Sequence, residues 1–351
     1  MPLKMGRIEL HVGPRAAGAP DDLGDVIVRF ISGAKRSLDI AVQELDSRRI
    51  ARAIVAAKHR GVAVRVVLEA DYLRAARAAE DPWLPGGGNE PNRAVHHALL
   101  RAAIDVRTDT NPAIFHHKFV VRDRSAVLLG STNFTETGIT KNLNHVLIVE
   151  DASVARLFAT EFLSLARGEL GRESPRRPPP RDLDVSGVRI RVAFAPDHNP
   201  EMEIMKQMLK ARRRIELAMF TFAQSSGIDD VLIELTRHGI PVVGALDGMQ
   251  VNQKWAATRP VKNAGAELHT VPKSDVVGKL HHKLLVLDRE LIIAGSFNYT
   301  GPATRLNDES VIVVGDLAAT TTRAKKRQAK IARFASGEIQ RIVRVHGRGL
   351  G

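Results

Sequence analysis

Two short stretches of this chain hold residues that could do chemistry, and they hold the same ones. Residues 116–133 read HHKFVVRDRSAVLLGSTN and residues 281–298 read HHKLLVLDRELIIAGSFN, so His, Lys, Asp, Gly, Ser and Asn recur at a constant offset of 165. On a strand, residues i and i+2 share a face. That pairs His116 with Lys118 and His281 with Lys283, and turns His117 and His282 the other way. A turn at 122–125, or at 288–290 in the second stretch, reverses the chain. Gly130-Ser131-Thr132-Asn133 and Gly295-Ser296-Phe297-Asn298 then return beside the histidines. Each stretch so delivers an imidazole, an ammonium and a carboxamide to one edge. That set suits a phosphodiester: Lys and Asn can hold the non-bridging oxygens, and His can serve as nucleophile, acid or base near neutral pH. No carboxylates with metal-ligand spacing accompany them, so no metal and no cofactor is expected if two lysines supply the positive charge.

These groups need a scaffold, and the sequence shows it to be duplicated. SLDIAVQEL (37–45) resembles IELAMFTFA (215–223), and RGVAVRVVLEAD (60–71) resembles HGIPVVGALDG (238–248). Each half reads as an apolar strand, an amphipathic helix, a second apolar strand, a variable region and then the hairpin with the motif. The expected class is α/β, each half a mixed, mostly parallel sheet flanked by helices. The expected division is a first half at 1–170, a Pro- and Arg-rich linker at 171–186, a second half at 187–337 and a basic tail at 338–351.

With 351 residues, 44% of them hydrophobic and 26% charged, the chain can bury a real core, which argues against a largely disordered or fibrous protein. It has no Cys, which excludes disulfides, thiolate zinc sites and Cys nucleophiles. No stretch approaches the roughly 20 apolar residues that span a bilayer, and MPLKMGRIELHVGP lacks a signal-peptide apolar region, so a cytoplasmic location is expected. The net charge of +13 suggests a polyanionic partner. Residues 321–351 alone hold 9 basic residues against 1 acidic. Arg323, Lys325, Lys326, Arg327, Lys330 and Arg333 are the candidate phosphate-binding cluster, with a solubilising helix face as the plain alternative.

The doubled motif H-x-K-x4-D-x6-G-S-x-N resembles that of the phospholipase D superfamily, and the similarity covers both halves. The resemblance implies a pseudo-twofold pair of halves with one active site between them, a phosphohistidine intermediate and no metal. It implies that His116, Lys118, Asn133, His281, Lys283 and Asn298 are catalytic. Family members usually carry a Glu eleven residues after the motif Asn, which holds the catalytic imidazole. The second half has Glu309 there and the first half has Asn144, a departure that resembles the tyrosyl-DNA phosphodiesterase branch. The expectation is that Asn144 serves His116 and Glu309 serves His281, which makes His116 the nucleophile and His281 the proton donor. Ser131 and Ser296 are expected to support the turn, Asp123 and Asp288 to be structural, and Thr135 and Thr300 to be local caps. Trp83 and Trp255 read as core or loop anchors.

The leading expectation is a metal-independent nuclease, with DNA ahead of RNA as partner. The alternative is a phospholipase D or phosphatidyltransferase acting on phospholipid, where the basic tail would meet anionic lipid. A nucleic-acid-binding module with weakened catalysis is the third.

Overall fold

The computed structural model describes residues 3–350 except 75, 76 and 82. The first half contains β1 (Leu3–Met5), β2 (Ile8–Gly13), α1 (Leu23–Ser32), β3 (Ser37–Val42), α2 (Arg48–His59), β4 (Ala63–Leu68) and α3 (Glu90–Arg101). It continues with β5 (Asp105–Thr108), β6 (Lys118–Arg122), β7 (Ala126–Gly130), α4 (Glu136–Thr140), β8 (Asn144–Val149) and α5 (Ala152–Ala166). The second half contains β9 (Leu183–Val185), β10 (Val188–Ala195), α6 (Pro200–Met208), β11 (Ile215–Met219), α7 (Ile228–Arg237), β12 (Val242–Asp247) and α8 (Thr258–Asn263). Then come β13 (Glu267–Val271), β14 (Lys283–Leu287), β15 (Leu291–Gly295), α9 (Gly301–Arg305), β16 (Glu309–Val314), α10 (Thr322–His346) and β17 (Arg348–Gly349).

The strands form two sheets, ordered β1-β2-β8-β7-β6-β3-β4-β5 and β17-β13-β12-β11-β14-β15-β16-β10-β9. Without β1, β9 and β17 the two orders are the same, which is the duplication seen as topology. The sheets are mixed, but the expectation that parallel pairs dominate is corrected. Among the described strands, the pairs within β3-β4-β5 and β11-β12-β13 are parallel and the other strand pairs are antiparallel. The strand–helix–strand units make the parallel part, and the motif hairpin with its return strand makes the rest.

The amphipathic helices α1 and α2 cover one face of the first sheet, with Ile27, Ile31, Ile50 and Ile54 fully buried. Their starts are set by the Asp22 carboxylate on the Asp25 N–H and by Ser47 on the Ile50 N–H. Helices α6 and α7 do the same for the second sheet. A third core joins the halves: Phe119, Phe158 and Phe162 pack with Phe194, Val286 and Ile339, residues drawn from α5, α10 and both sheets.

Two expected boundaries move. Helix α10 runs unbroken through residue 337, because Ile331, Ala335, Ile339 and Ile342 keep one apolar stripe in the shared core on both sides of it. The linker ends early, since β9 pairs with β10 from Leu183 on.

Candidate active site

The site is built at the edge where β3 and β11 end and β6 and β14 begin. Val42 pairs with Lys118, and Met219 with Lys283, so the last strand residue of each parallel unit lies beside a motif lysine. Each hairpin is pinned at its far end. The Asp123 carboxylate accepts the backbone N–H groups of Lys35, Arg36 and Ser37, and Asp288 accepts those of Arg212, Arg213 and Arg214. Both aspartates have left-handed φ, of 54° and 55°, which Asp tolerates in tight turns. They lie a whole strand away from the histidines, in the structural position expected of them.

At the near end, two acids fix the residue that precedes each motif histidine. Glu69 Oε2 accepts the Phe115 N–H at 2.7 Å, and Asp247 Oδ2 accepts the Leu280 N–H at 2.9 Å. These acids stand at equivalent places in the repeat, Glu69 just past β4 and Asp247 at the end of β12, an equivalence legible in the sequence, though their partners were not.

The two halves cross here. Phe115 bridges Asp308 of the second half, and Leu143 bridges Leu280. The His116 N–H binds the Asp308 carbonyl, and the His281 N–H binds that of Leu143. The next residue along each pairing then lies beside a motif histidine of the other half. His116 Nδ1 sits 2.7 Å from Glu309 Oε2, and His281 Nδ1 sits 3.1 Å from both Asn144 Oδ1 and the Ser131 carbonyl. The expected pairing is therefore overturned: Glu309 serves His116 and Asn144 serves His281. The spacing of eleven residues is right within each half, but the hydrogen bond is made across the seam.

Ser131 and Ser296 complete this layer. Ser131 Oγ donates to Asn144 Oδ1 at 2.8 Å and accepts the His145 N–H, while Ser296 Oγ donates to Glu309 Oε2 at 2.6 Å and accepts the Ser310 N–H. Asn144 Nδ2 donates to the Gly138 carbonyl, so the amide oxygen is the atom turned to His281. Two acceptors at His281 Nδ1 require a proton there, which leaves Nε2 for chemistry. A Glu309 carboxylate demands the same tautomer of His116. Thr135 and Thr300 cap α4 and α9, as expected.

The lysines are buried, at 1% and 3% exposure. Lys118 Nζ donates to Gln43 Oε1 at 3.0 Å and to the His116 carbonyl at 2.7 Å. Lys283 Nζ donates to the His281 carbonyl at 3.0 Å and stands 5.0 Å from the centre of the Phe220 ring, which also tilts over His281 at 4.9 Å. Gln43 and Phe220 each follow directly on β3 and β11, and the sequence reading passed over both. Burial pushes Lys118 down to about 7, and pushes Lys283 well below its ordinary range with the help of the Lys118 charge. Both motif histidines are lowered by burial and by the two lysines, whereas burial raises Glu309 to about 7. Cationic groups crowded in a buried space are suited to an anion, which would restore their charge. Asn133 and Asn298 are half-buried at the same edge, and their Oδ1 atoms are buried without a partner.

His117 and His282 face inward, as alternation requires. His117 lies in a cage of Phe115, Phe119 and Phe194, and His282 stacks on His145. Each lies 3.5 Å from an inner-helix acid, Glu161 and Glu338 respectively. Among the described residues no group of three or more His, Cys, Asp or Glu has metal-binding geometry.

The basic cluster does not join the site. Arg323, Lys325, Lys326, Lys330 and Arg333 are exposed and Arg327 is half-buried along the first part of α10. Gln328, in their midst, is bonded to Asp316, just past the end of β16. Glu309 is at the other end of that six-residue strand, so the cluster lies roughly 20 Å from the histidines.

Two like motif sets brought to one edge by two like sheets mark a duplicated fold with one composite candidate site. The chain belongs to the phospholipase D superfamily: the family described as "Cardiolipin synthase, PLD-like domain" matches twice, over residues 27–166 and 204–330. Human mitochondrial cardiolipin hydrolase is 34% identical over 136 residues, 39% of this chain and 48% of that protein. Phospholipase D of Rickettsia felis is 30% identical over 138 residues, 39% of this chain and 61% of that protein. This chain therefore spans about half the length of the curated relatives it matches. The structure of phosphatidylserine synthase from Haemophilus influenzae Rd KW20 superposes with a TM-score of 0.68 at 13% identity, covering 100% of this chain and 89% of that one. That likeness supports the fold.

Proposed function

We propose that the chain is a phospholipase D-type enzyme that cleaves the phosphodiester of a phospholipid, with cardiolipin-like anionic lipids as the substrate class. The observation that carries the chemistry is the crossed pairing, which gives two Nε2 atoms of different character in one buried, cationic site. His116 is the nucleophile. Its Nε2 attacks phosphorus, and the ring becomes cationic as the N–P bond forms, a charge that Glu309 at Nδ1 stabilises. This ground differs from the one expected from sequence, where Glu309 was set beside the other histidine. His281, held by neutral acceptors, is the stronger acid once the bound phosphate has charged it. It gives its Nε2 proton to the leaving oxygen as the P–O bond breaks. In the second step neutral His281 takes a proton from water, the resulting hydroxide displaces His116 from phosphorus, and both residues return to their starting states. Lys118, Lys283, Asn133 and Asn298 hold the non-bridging oxygens.

The relatives, a cardiolipin hydrolase and a phospholipase D, favour lipid over nucleic acid as the substrate. The nuclease reading, with DNA ahead of RNA, rests on the +13 net charge, much of it on α10 away from the site. Incubation in EDTA with cardiolipin in mixed micelles, single-stranded DNA, duplex DNA and RNA separates the two. Release of phosphatidate from the lipid is expected. Cleavage of a nucleic acid with the lipid intact would put the nuclease reading first.

A further inference from the structure

Both tryptophans of the chain lie exposed on loops that leave the same edge as the catalytic groups. Trp83 follows β4 and Trp255 follows β12, equivalent strands of the two halves. The first loop is tied to the site rim, since Asn89 Nδ2 donates to the Asp71 and Arg74 carbonyls, and Asn92 Oδ1 accepts the Leu45 N–H beside Gln43 and Glu44. The second is tied there too: the Gln224 N–H binds the Trp255 carbonyl, four residues after the Phe220 that covers His281. Trp83 is 93% exposed and Leu84 beside it 64%, while Trp255 is 42% exposed. Ile114, Met249 and Val276, on segments leading into or out of the same edge, are each more than 40% exposed. Large apolar side chains so exposed are costly in water, and here they ring one site.

We propose that this rim is a membrane-docking face, with Trp83 and Trp255 seated at the interface of an anionic phospholipid bilayer and the catalytic histidines turned toward the headgroups. The proposal rests on the phospholipid reading and adds how the lipid is met. Trp suits the zone between headgroup and acyl chain, where its ring is buried and its N–H stays wet. Aliphatic neighbours such as Leu84 and Val276 favour acyl chains over stacked bases as the surface they meet. The charge matches as well. Behind Trp255, between α7 and α8, a cleft of about 1010 Å³ carries Lys254 and Arg259 at its end nearest the rim; its other charged lining residues, Arg237 and Lys262 at the last turns of α7 and α8, are basic too but lie toward the opposite sheet end. Exposed Lys279 extends the cationic surface to the site, 5.6 Å from the Phe220 ring. The Trp83 loop is less basic, with Glu80 next to Asp81, but Asp81 is turned onto the Trp83 N–H, so the electrostatic attraction belongs mainly to the second half.

The test uses the full chain, whose tryptophan emission, excited selectively over its two tyrosines, comes from these two residues. Vesicles of phosphatidylcholine with cardiolipin, and vesicles of phosphatidylcholine only, carry bromine on the acyl chains. The expected result is a blue shift and quenching with the cardiolipin vesicles in the wild type and in each of Trp83→Phe and Trp255→Phe. Partitioning should fall about tenfold in the double alanine variant at an unchanged melting temperature. Vesicle binding without a shift or quenching overturns the proposal, as does quenching only by single-stranded DNA, which would make the rim a base-stacking surface. Cleavage of cardiolipin dispersed in detergent micelles checks the substrate reading separately, because it needs no bilayer.

Discussion

At the residue scale, the motif names the reacting groups but not their partners. His116, Lys118, Asn133 and their repeats were legible because fixed spacing on a hairpin leaves one arrangement. The partners of the imidazoles were not, since Asn144 and Glu309 become neighbours of a motif histidine only through bridges between the halves. A carboxylate on one histidine and an amide on the other makes a specific expectation. Glu309→Gln should reduce kcat by about 10² to 10⁴-fold, because the cationic phosphohistidine loses its counter-charge. Phosphoenzyme formation should slow with it. In the same assay Asn144→Ala should slow the release of poor leaving groups far more than that of nitrophenolate; the reverse pattern would exchange the two histidines. The lysines give a pH-dependent expectation. Lys118 is lowered to about 7 and Lys283 well below its usual range in the free protein, chiefly by burial. A bound phosphate raises both again, so near pH 8 binding must take up protons. Titration calorimetry with inorganic phosphate in buffers of different ionisation enthalpy should report net uptake. Proton release would show that the lysines are already charged.

At the element scale, the strand–helix–strand units and the hairpins were readable from apolar runs and turn residues. The strand directions were not. Parallel order was inferred from strands alternating with helices, but β2, β7, β8 and their counterparts add antiparallel neighbours that no crossover helix announces. Gln43 and Phe220 escaped for a related reason: each stands one residue beyond an apolar strand, where composition gives no hint that the neighbouring strand begins with a motif lysine. Asp123 and Asp288 couple the hairpins to the strands β3 and β11. Asp123→Ala removes the acceptor for three backbone N–H groups and places a less tolerant residue at positive φ, which should cost about 2–4 kcal/mol in urea unfolding. Asp123→Asn keeps the turn and should cost less. Equal losses in the two variants would mean that the carboxylate's charge, and not the turn, sets the stability. The hairpins also share a core with α5 and α10, so loosening one should lower activity along with stability.

At the scale of the whole molecule, the duplication was the most legible feature and also the one on which the proposed chemistry depends. Two similar halves could carry two independent sites. Instead, Glu309 of one half binds His116 of the other, Asn144 returns the arrangement, and the shared core of α5, α10 and both sheets holds the seam closed. The basic residues of α10 show the limit of reading charge from sequence. They are clustered along the chain, but the helix carries them to the sheet end opposite the chemistry. Site geometry and bulk charge are therefore separate matters here. Neutralising Arg323, Lys325, Lys326 and Lys330 together should leave turnover of a soluble phosphodiester within about twofold of wild type, because screened charges at that distance have little hold on the site. A large loss of that turnover would mean that α10 reaches the catalytic edge. The measurement that tests the central claim most directly is the phosphoenzyme itself. The full chain is mixed in EDTA with a phosphodiester carrying a nitrophenolate leaving group, quenched within one turnover and digested for mass spectrometry. One composite site predicts at most one phosphoryl group per chain, on His116, absent in His116→Ala and still formed in His281→Ala. Two phosphoryl groups per chain, one on each motif histidine, would contradict it.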